Sequence, residues 1–480
     1  MTLLVKGGRV INPAMQQDEI CDILIENGKI KEVGANLTAD KAEEVFDASG
    51  LVVAPGFIDM HVHLRQPGQS GKETIETGTK AAAAGGITRV ATMPNTKPVI
   101  DSAIIVDGMK YKIEREAKVK VEIIGAISKG LQGQELAAMG AMAKEGVAAF
   151  SDDGRYVENC DFMRKAMEYA SMFHKVIIDH CEEQSLVEGG NMHEGVVSNE
   201  LGIKGRPAVA EDIAVARDIF LAEATHTPVH IAHISTKNAV ELVRQAKKRG
   251  VQVTAEVTPQ HLILTDEALR TFETRYKVNP PIRSEEHRAA CVAGLQDGTI
   301  DAVVTDHAPH EWEEKDQEFN LAPSGFVGLE TSVGAMLTYM YHTGHIDLMT
   351  LVNAMSTAQA KILGLDAGAA GDIGIPSATV EGKQAAGAAV RGIAGDLARE
   401  AGNDPVGQHA HARRAGIDVR QVAFDPLEAR NGTERERLPG HGIGVSLEVG
   451  HGGLEGFGLV GRARVDVGAG PELASVAIPQ

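Results

Sequence analysis

Residues 51–68 read Leu51-Val52-Val53-Ala54-Pro55-Gly56-Phe57-Ile58-Asp59-Met60-His61-Val62-His63-Leu64-Arg65-Gln66-Pro67-Gly68. An apolar run ending in two histidines predicts the C-terminal end of a buried strand. Side chains alternate along a strand, so His61 and His63 share a face. Two imidazoles converging at a strand end suit a divalent metal, most often zinc. Alone, the pair fits a hydrogen-bonded structural role equally well. The rest of the chain tips the balance, because further potential ligands stand at later strand ends.

From about residue 53 to 365, apolar runs alternate with helical stretches. Strands are expected to end near His63, Asn95, Ile127, Asp153, His180, His233, Thr258 and Asp306. Helices are expected between them over 73–84, 161–173, 211–224 and 238–249. Eight strands alternating with helices predict an α/β fold, a (β/α)8 TIM-like barrel, whose active site forms at the C-terminal strand ends. Residues 1–52 read differently. Short apolar runs at Leu3-Leu4-Val5, Ile23-Leu24-Ile25, Ile30 to Val33 and Glu44 to Phe46 are punctuated by Gly7-Gly8, Asn27-Gly28 and Ser49-Gly50. That spacing predicts a small antiparallel β domain.

The 480 residues are enough for a barrel and a second domain, and the formal net charge of -19 argues against nucleic acid and anionic membranes. The four cysteines, Cys21, Cys160, Cys181 and Cys291, are scattered and read as reduced thiols. The first residues lack the basic segment and apolar core of a signal peptide, and no run suits a membrane span. A cytoplasmic location is therefore expected.

Candidate metal ligands gather at the predicted strand ends. Val229-His230-Ile231-Ala232-His233 offers two histidines three apart, which on a strand point to opposite faces; His233, nearer the C-terminal end, is the candidate. His180 ends the run 175–180, and Asp152 and Asp153 are adjacent after Ala148-Ala149-Phe150-Ser151. Asp306 is followed on a loop by His307 and His310. Four histidines and two aspartates together suit a one- or two-zinc hydrolase.

With these motifs the chain resembles the amidohydrolase superfamily, and within it dihydroorotases of the longer, bacterial-type class. The resemblance covers residues 1 to about 365. It rests on 55–65, Met93-Pro94-Asn95-Thr96, Ser151-Asp152-Asp153-Gly154, Asp179-His180-Cys181-Glu182, His233-Ile234-Ser235, Lys277-Val278-Asn279-Pro280-Pro281, 305–310 and Gly328-Leu329-Glu330-Thr331. It implies one zinc on His61, His63 and Asp306, a second on His180 and His233, and Asp153 bridging or completing the site. The zinc count is left at one or two. The family pattern favours Asp153 over Asp152. Many relatives bridge through a carboxylated lysine, and no lysine stands on the predicted fourth strand here.

The reaction so implied is the reversible closure of N-carbamoyl-L-aspartate to (S)-dihydroorotate in pyrimidine (UMP) biosynthesis. In the hydrolytic direction, zinc lowers the pKa of a bound water and hydroxide attacks the ring amide. Asp306 would act as general acid/base. Arg65, Asn95 and His310 match the family's positions for the substrate carboxylate, and Asn279 and Gly325 match further substrate contacts. The charged loop 307–328 suggests a lid over the barrel mouth, although an ordinary solvated loop reads the same. A homodimer and a complex with aspartate transcarbamoylase are the protein partners the resemblance admits. Rival readings are an allantoinase, a hydantoinase, or a metal-free scaffold for aspartate transcarbamoylase.

Three features depart from the family pattern. Gln66 replaces an acidic residue, and Ser324 stands where phenylalanine is common. Residues 366–480 are the third: from 371 onward they hold 21 glycines, ten arginines and one lysine, and no methionine follows Met355. This composition predicts a flexible or poorly packed tail in place of the closing β strands. A frame shift or joining error would also produce it; an intact frame on resequencing, with the same tail in related genes, would sink that hypothesis. Without closing strands, the N-terminal sheet is expected to expose an edge.

Overall fold

The computed structural model describes residues 2–365 apart from 28, 39 and 41, together with the short strands Val445–Leu447 and Ala463–Val465. Near the N-terminus, β1 (Thr2–Asn12), β2 (Gln17–Glu26), β3 (Lys29–Gly34), β4 (Glu44–Asp47) and β5 (Val52–Val53) form one sheet. Its inward face buries Leu3, Val5, Val10, Cys21, Ile23, Ala48 and Val53. Two expectations are corrected. The sheet is mixed: β1, β2 and β3 are antiparallel, but β4 and β5 run parallel to β1. Gly7-Gly8 is no turn; β1 continues through it with a register shift between Val5 and Gly8. Gly7 adopts φ +72°, and its amide donates to Asp22 Oδ1 at 2.7 Å. Glycine supplies the left-handed conformation a bulge needs without a steric penalty.

The larger sheet is an eight-stranded parallel barrel, as the alternating pattern predicts. Its strands are β6 (Phe57–Val62), β7 (Ile87–Thr92), β8 (Lys120–Gly125), β9 (Ala149–Ser151), β10 (Ile177–Asp179), β13 (Val229–Ile231), β14 (Val253–Val257) and β15 (Ala302–Val303). A short parallel pair, β11 (Met192–His193) and β12 (Gly205–Arg206), sits in the excursion after β10. Neighbours follow chain order. The ring closes where Val62 pairs with His307 and the His63 amide donates to His307 O at 2.8 Å. Asp59 strengthens the seam, accepting from the Thr305 amide at 3.1 Å.

Helices cover the outside because their apolar residues recur on one face. In Lys237–Lys248 the buried positions are Ala239, Val240, Val243 and Ala246, a spacing of one, four and seven from the first. The Thr236 side chain caps this helix by accepting from the Ala239 amide. Asn159 caps Cys160–Ser171 in the same way. Inside the barrel, Met60, Ala91, Met93, Ile124, Ala148, Ile178, Ala232 and Val304 form a separate apolar plug. Gln359 ties the ends of the sheet together: it accepts from the Met60 amide at 2.8 Å and donates to Val303 O at 2.7 Å. The site residues are thus held by loops springing from a packed, closed ring.

A separate unit spans residues 423–480, in which Val445–Leu447 pairs antiparallel with Ala463–Val465. Apart from that pair, the expectations for residues 366–480 lie outside the described residues.

Candidate metal centre and its surroundings

Each barrel strand that carries a candidate ligand stops one to three residues before it, except β6, which still contains His61. The chain leaves the sheet through unusual backbone. Arg65, His233 and Asp306 adopt φ of 60°, 32° and 49°. Left-handed backbone at non-glycine residues costs free energy and clusters where geometry serves function. Here it swings side chains from different strands onto one point.

All six candidate ligands meet there, and all are buried. His63 Nε2 lies 3.0 Å from Asp306 Oδ1 and 3.4 Å from Asp153 Oδ2. His61 Nε2 lies 3.4 Å from Asp153 Oδ1 and 3.5 Å from Asp306 Oδ1. His180 Nδ1 is 2.9 Å from His233 Nε2, and each is within 3.6 Å of Asp153 Oδ1. Asp153 therefore faces both histidine pairs. Ligand atoms of three overlapping triads cluster within 4.8 Å: His61, His63 and Asp153; Asp153, His180 and His233; His61, His233 and Asp306.

The donor set fits a divalent cation. Asp153 Oδ1 and His61 Nε2 are buried without a hydrogen-bond partner among the described residues, an arrangement that is costly unless something else engages them. The electrostatics also favour positive charge. Burial pushes the Asp153 carboxyl up, yet His61, His180 and His233 hold it well below the usual carboxylate range. Burial lowers His61, while Asp153 and Glu256 raise it well above an ordinary imidazole.

The adjacent aspartates part company. Asp152 Oδ1 accepts from the amides of Ile127 (2.9 Å) and Ser128 (3.0 Å), and Oδ2 accepts from the Ser128 hydroxyl. It is a loop anchor. Burial, opposed by those hydrogen bonds, lifts its pKa to about 6.

The candidate substrate residues gather at the β6, β7 and β15 ends and beside His180. β6 ends at Val62 and the chain turns at Arg65, so alternation along the strand does not set where Arg65 points. Its Nε donates to Pro309 O at 3.1 Å. Asn95 Oδ1 lies 2.9 Å from His63 Nδ1 and accepts from it, with His63 Nε2 turned toward Asp306 and Asp153. His310 Nε2 donates to Ser324 O at 2.9 Å, while Lys72 Nζ stands 3.2 Å from Nδ1. Asn279 Nδ2 is 3.1 Å from His180 Nε2 and 3.0 Å from Glu182 Oε2, and Arg206 donates to its Oδ1 at 2.8 Å. At Gly325 a Cβ would sit 2.4 Å from Ala308 O.

The loop 307–328 is pinned. Lys315 Nζ donates to Pro323 O (2.9 Å) and Gly325 O (3.2 Å), and the buried Lys277 Nζ donates to Phe319 O (2.8 Å). Burial lowers both amines to about 8. Neither departure from the family pattern is idle. Gln66 accepts from the Ile75 amide at 3.0 Å and donates to Ser70 Oγ at 2.8 Å, and Ser324 supplies the carbonyl that His310 uses.

One reading is corrected and one residue was missed. His230 does not point away from the centre: its Nε2 lies 3.0 Å from Glu256 Oε2. Glu256, in turn, places Oε1 2.5 Å from His61 Nδ1. The available signal was a glutamate inside the apolar strand Val253-Thr254-Ala255-Glu256-Val257. A buried charge of that kind demands a partner.

A family model described as "Dihydro-orotase-like" matches residues 50–239. The curated dihydroorotase of Geotalea daltonii is 53% identical over 368 residues, covering 77% of this chain and 86% of the relative. That of Pelotomaculum thermopropionicum is 52% identical over 368 residues, covering 77% and 86%. Among solved structures, the L-hydantoinase (dihydropyrimidinase) from Arthrobacter aurescens aligns with TM-score 0.69 at 25% identity, covering 76% of this chain and 82% of its own. The D-hydantoinase from Thermus sp. aligns with TM-score 0.63 at 28% identity over the same shares.

Proposed function

Since the chain belongs to the dihydroorotase family of cyclic-amide hydrolases, we propose that it interconverts N-carbamoyl-L-aspartate and (S)-dihydroorotate for pyrimidine synthesis, using zinc held by His61, His63, Asp153, His180, His233 and Asp306. The observation that carries this reading is the convergence of those six buried residues on one point. Zinc supplies Lewis acidity for the amide carbonyl and lowers the pKa of water toward neutrality.

The protein's own groups do the rest. Asp306 takes the proton of the attacking water on its carboxylate and returns it to the departing ring nitrogen. Ring closure reverses these transfers. Arg65 presents its terminal guanidinium nitrogens to the substrate carboxylate, because its Nε already serves Pro309 O. Asn95 Nδ2 and His310 Nε2–H complete that pocket; His310 exchanges its bond to Ser324 O for one to substrate. Asn279 and the Gly325 backbone bound the opposite side of the ring. The loop 307–328 excludes water when substrate is in place.

The partner of the site is thus a small anionic molecule. Among the described residues no helix is long and apolar enough to cross a membrane. Comparing turnover of dihydroorotate, allantoin and hydantoin tests the assignment. Preference for dihydroorotate is expected, and preference for either of the others would replace it.

A further inference from the structure

Glu256 is fully buried, and both of its carboxylate oxygens are engaged. Oε1 lies 2.5 Å from His61 Nδ1 and 3.4 Å from the His233 amide nitrogen. Oε2 lies 3.0 Å from His230 Nε2. The far side of His230 is also held, with Nδ1 2.8 Å from Thr254 Oγ1. A line of contacts therefore runs Thr254, His230, Glu256, His61.

The carboxylate decides which ring nitrogens facing it carry hydrogen. An ionised carboxylate accepts and cannot donate, so His61 carries its hydrogen on Nδ1 and His230 carries one on Nε2. On its other side, His230 Nδ1 meets the Thr254 hydroxyl. Nε2 of His61, the nitrogen nearest to both Asp153 and Asp306, is then the one that would face a metal ion.

We propose that Glu256 is a positioning residue of the metal centre, locking His61 in the Nδ1–H tautomer, with His230 and Thr254 holding the carboxylate in place. This rests on the reading of His61 as a metal ligand. A carboxylate behind a ligating imidazole fixes the ring and raises its basicity; losing such a partner typically weakens metal binding by about 10–100-fold. The contact from the His233 amide extends the same carboxylate to the backbone of a second ligand.

The test is zinc binding to the full chain, measured by competition with a chromophoric chelator, for the wild type and Glu256→Gln. Glutamine keeps the shape and an acceptor oxygen but removes the charge. A weakening of about 10–100-fold with an unchanged circular dichroism spectrum is expected. Equal affinity in the two proteins overturns this inference alone. No zinc uptake by a folded wild type overturns the metal-site reading and this inference with it. A second measurement does not depend on the variant folding: 15N-histidine NMR of the zinc-free wild type, with His61 assigned by comparison with His61→Gln. Nitrogen shifts showing hydrogen on Nδ1 support the proposal, and shifts showing a bare Nδ1 overturn it.

Discussion

Asp152 and Asp153 are neighbours in the chain, and their carboxylates face different structures. Asp152 binds the main chain of Ile127 and Ser128, whereas the Asp153 carboxylate meets no main-chain amide among the described residues and lies among His61, His63, His180 and His233. The loop after β9 uses the first to hold the second in position. Asp152→Asn keeps an acceptor for both amides and a donor toward Ser128, so it should change stability by less than about 1 kcal/mol. Asp152→Ala should cost about 2–3 kcal/mol by leaving two buried amides unpaired. Asp153→Asn should fold normally and lose most zinc binding. Denaturant melts and metal analysis of the three variants decide; an Asp152→Asn protein that loses its zinc while Asp153→Asn keeps it would reverse the assignment.

Arg65→Lys tests recognition of the substrate carboxylate. Lysine keeps the charge but loses the fork that pairs two oxygens and the bond to Pro309 O. Loss of a charge-assisted hydrogen bond worth about 1.5–3 kcal/mol should reduce kcat/KM roughly 10–100-fold, chiefly through KM. Steady-state kinetics with zinc content held equal to wild type measure this. An unchanged KM would remove Arg65 from the binding site.

His310 is expected to remain neutral throughout the working range. Burial, then the Arg65 charge, lowers it to about 4. The unfolded chain binds a proton near pH 6.5, so the unfolded state holds more protons between about 4 and 6.5. The stability contribution of this residue is present above pH 6.5 and is lost as pH falls toward 4. Histidine NMR should show no titration of His310 between pH 5.5 and 8. A midpoint above 6 would contradict the neutral Nε2–H donor.

Gly325→Ala probes the pinned loop. The added Cβ would meet Ala308 O at 2.4 Å and the His310 ring at 2.7 Å. A backbone oxygen cannot rotate away, so the loop and His310 must shift together. Misplacement of that order should cost roughly 10–100-fold in kcat/KM. The melting temperature should hardly move, because the barrel core is untouched. Wild-type kinetics would show that the loop does not position His310.

Much of this architecture is legible from the chain itself. The barrel strands announce themselves as apolar runs, and the candidate ligands end or follow them because they gather at one rim of the ring. Local rules fail where the strand stops. His230 and His233 were assigned opposite faces by alternation, but β13 ends at Ile231 and His233 turns through positive φ. Arg65 escapes the same rule for the same reason. Gly7-Gly8 resembles a turn in one dimension, and only pairing with β2 shows the bulge. Glu256 stands out as a charge in an apolar strand, but its partners, His61 and His230, lie 195 and 26 residues away in sequence and no local rule names them. No local period marks a contact across a barrel.

The most direct measurement is dihydroorotate hydrolysis by the purified, zinc-loaded chain, followed as loss of ultraviolet absorbance, with His180→Ala as the control. The account predicts turnover by the wild type and its loss in the variant. A soluble, folded, zinc-bound wild type without activity on dihydroorotate, or a His180→Ala variant as active as wild type, would contradict it.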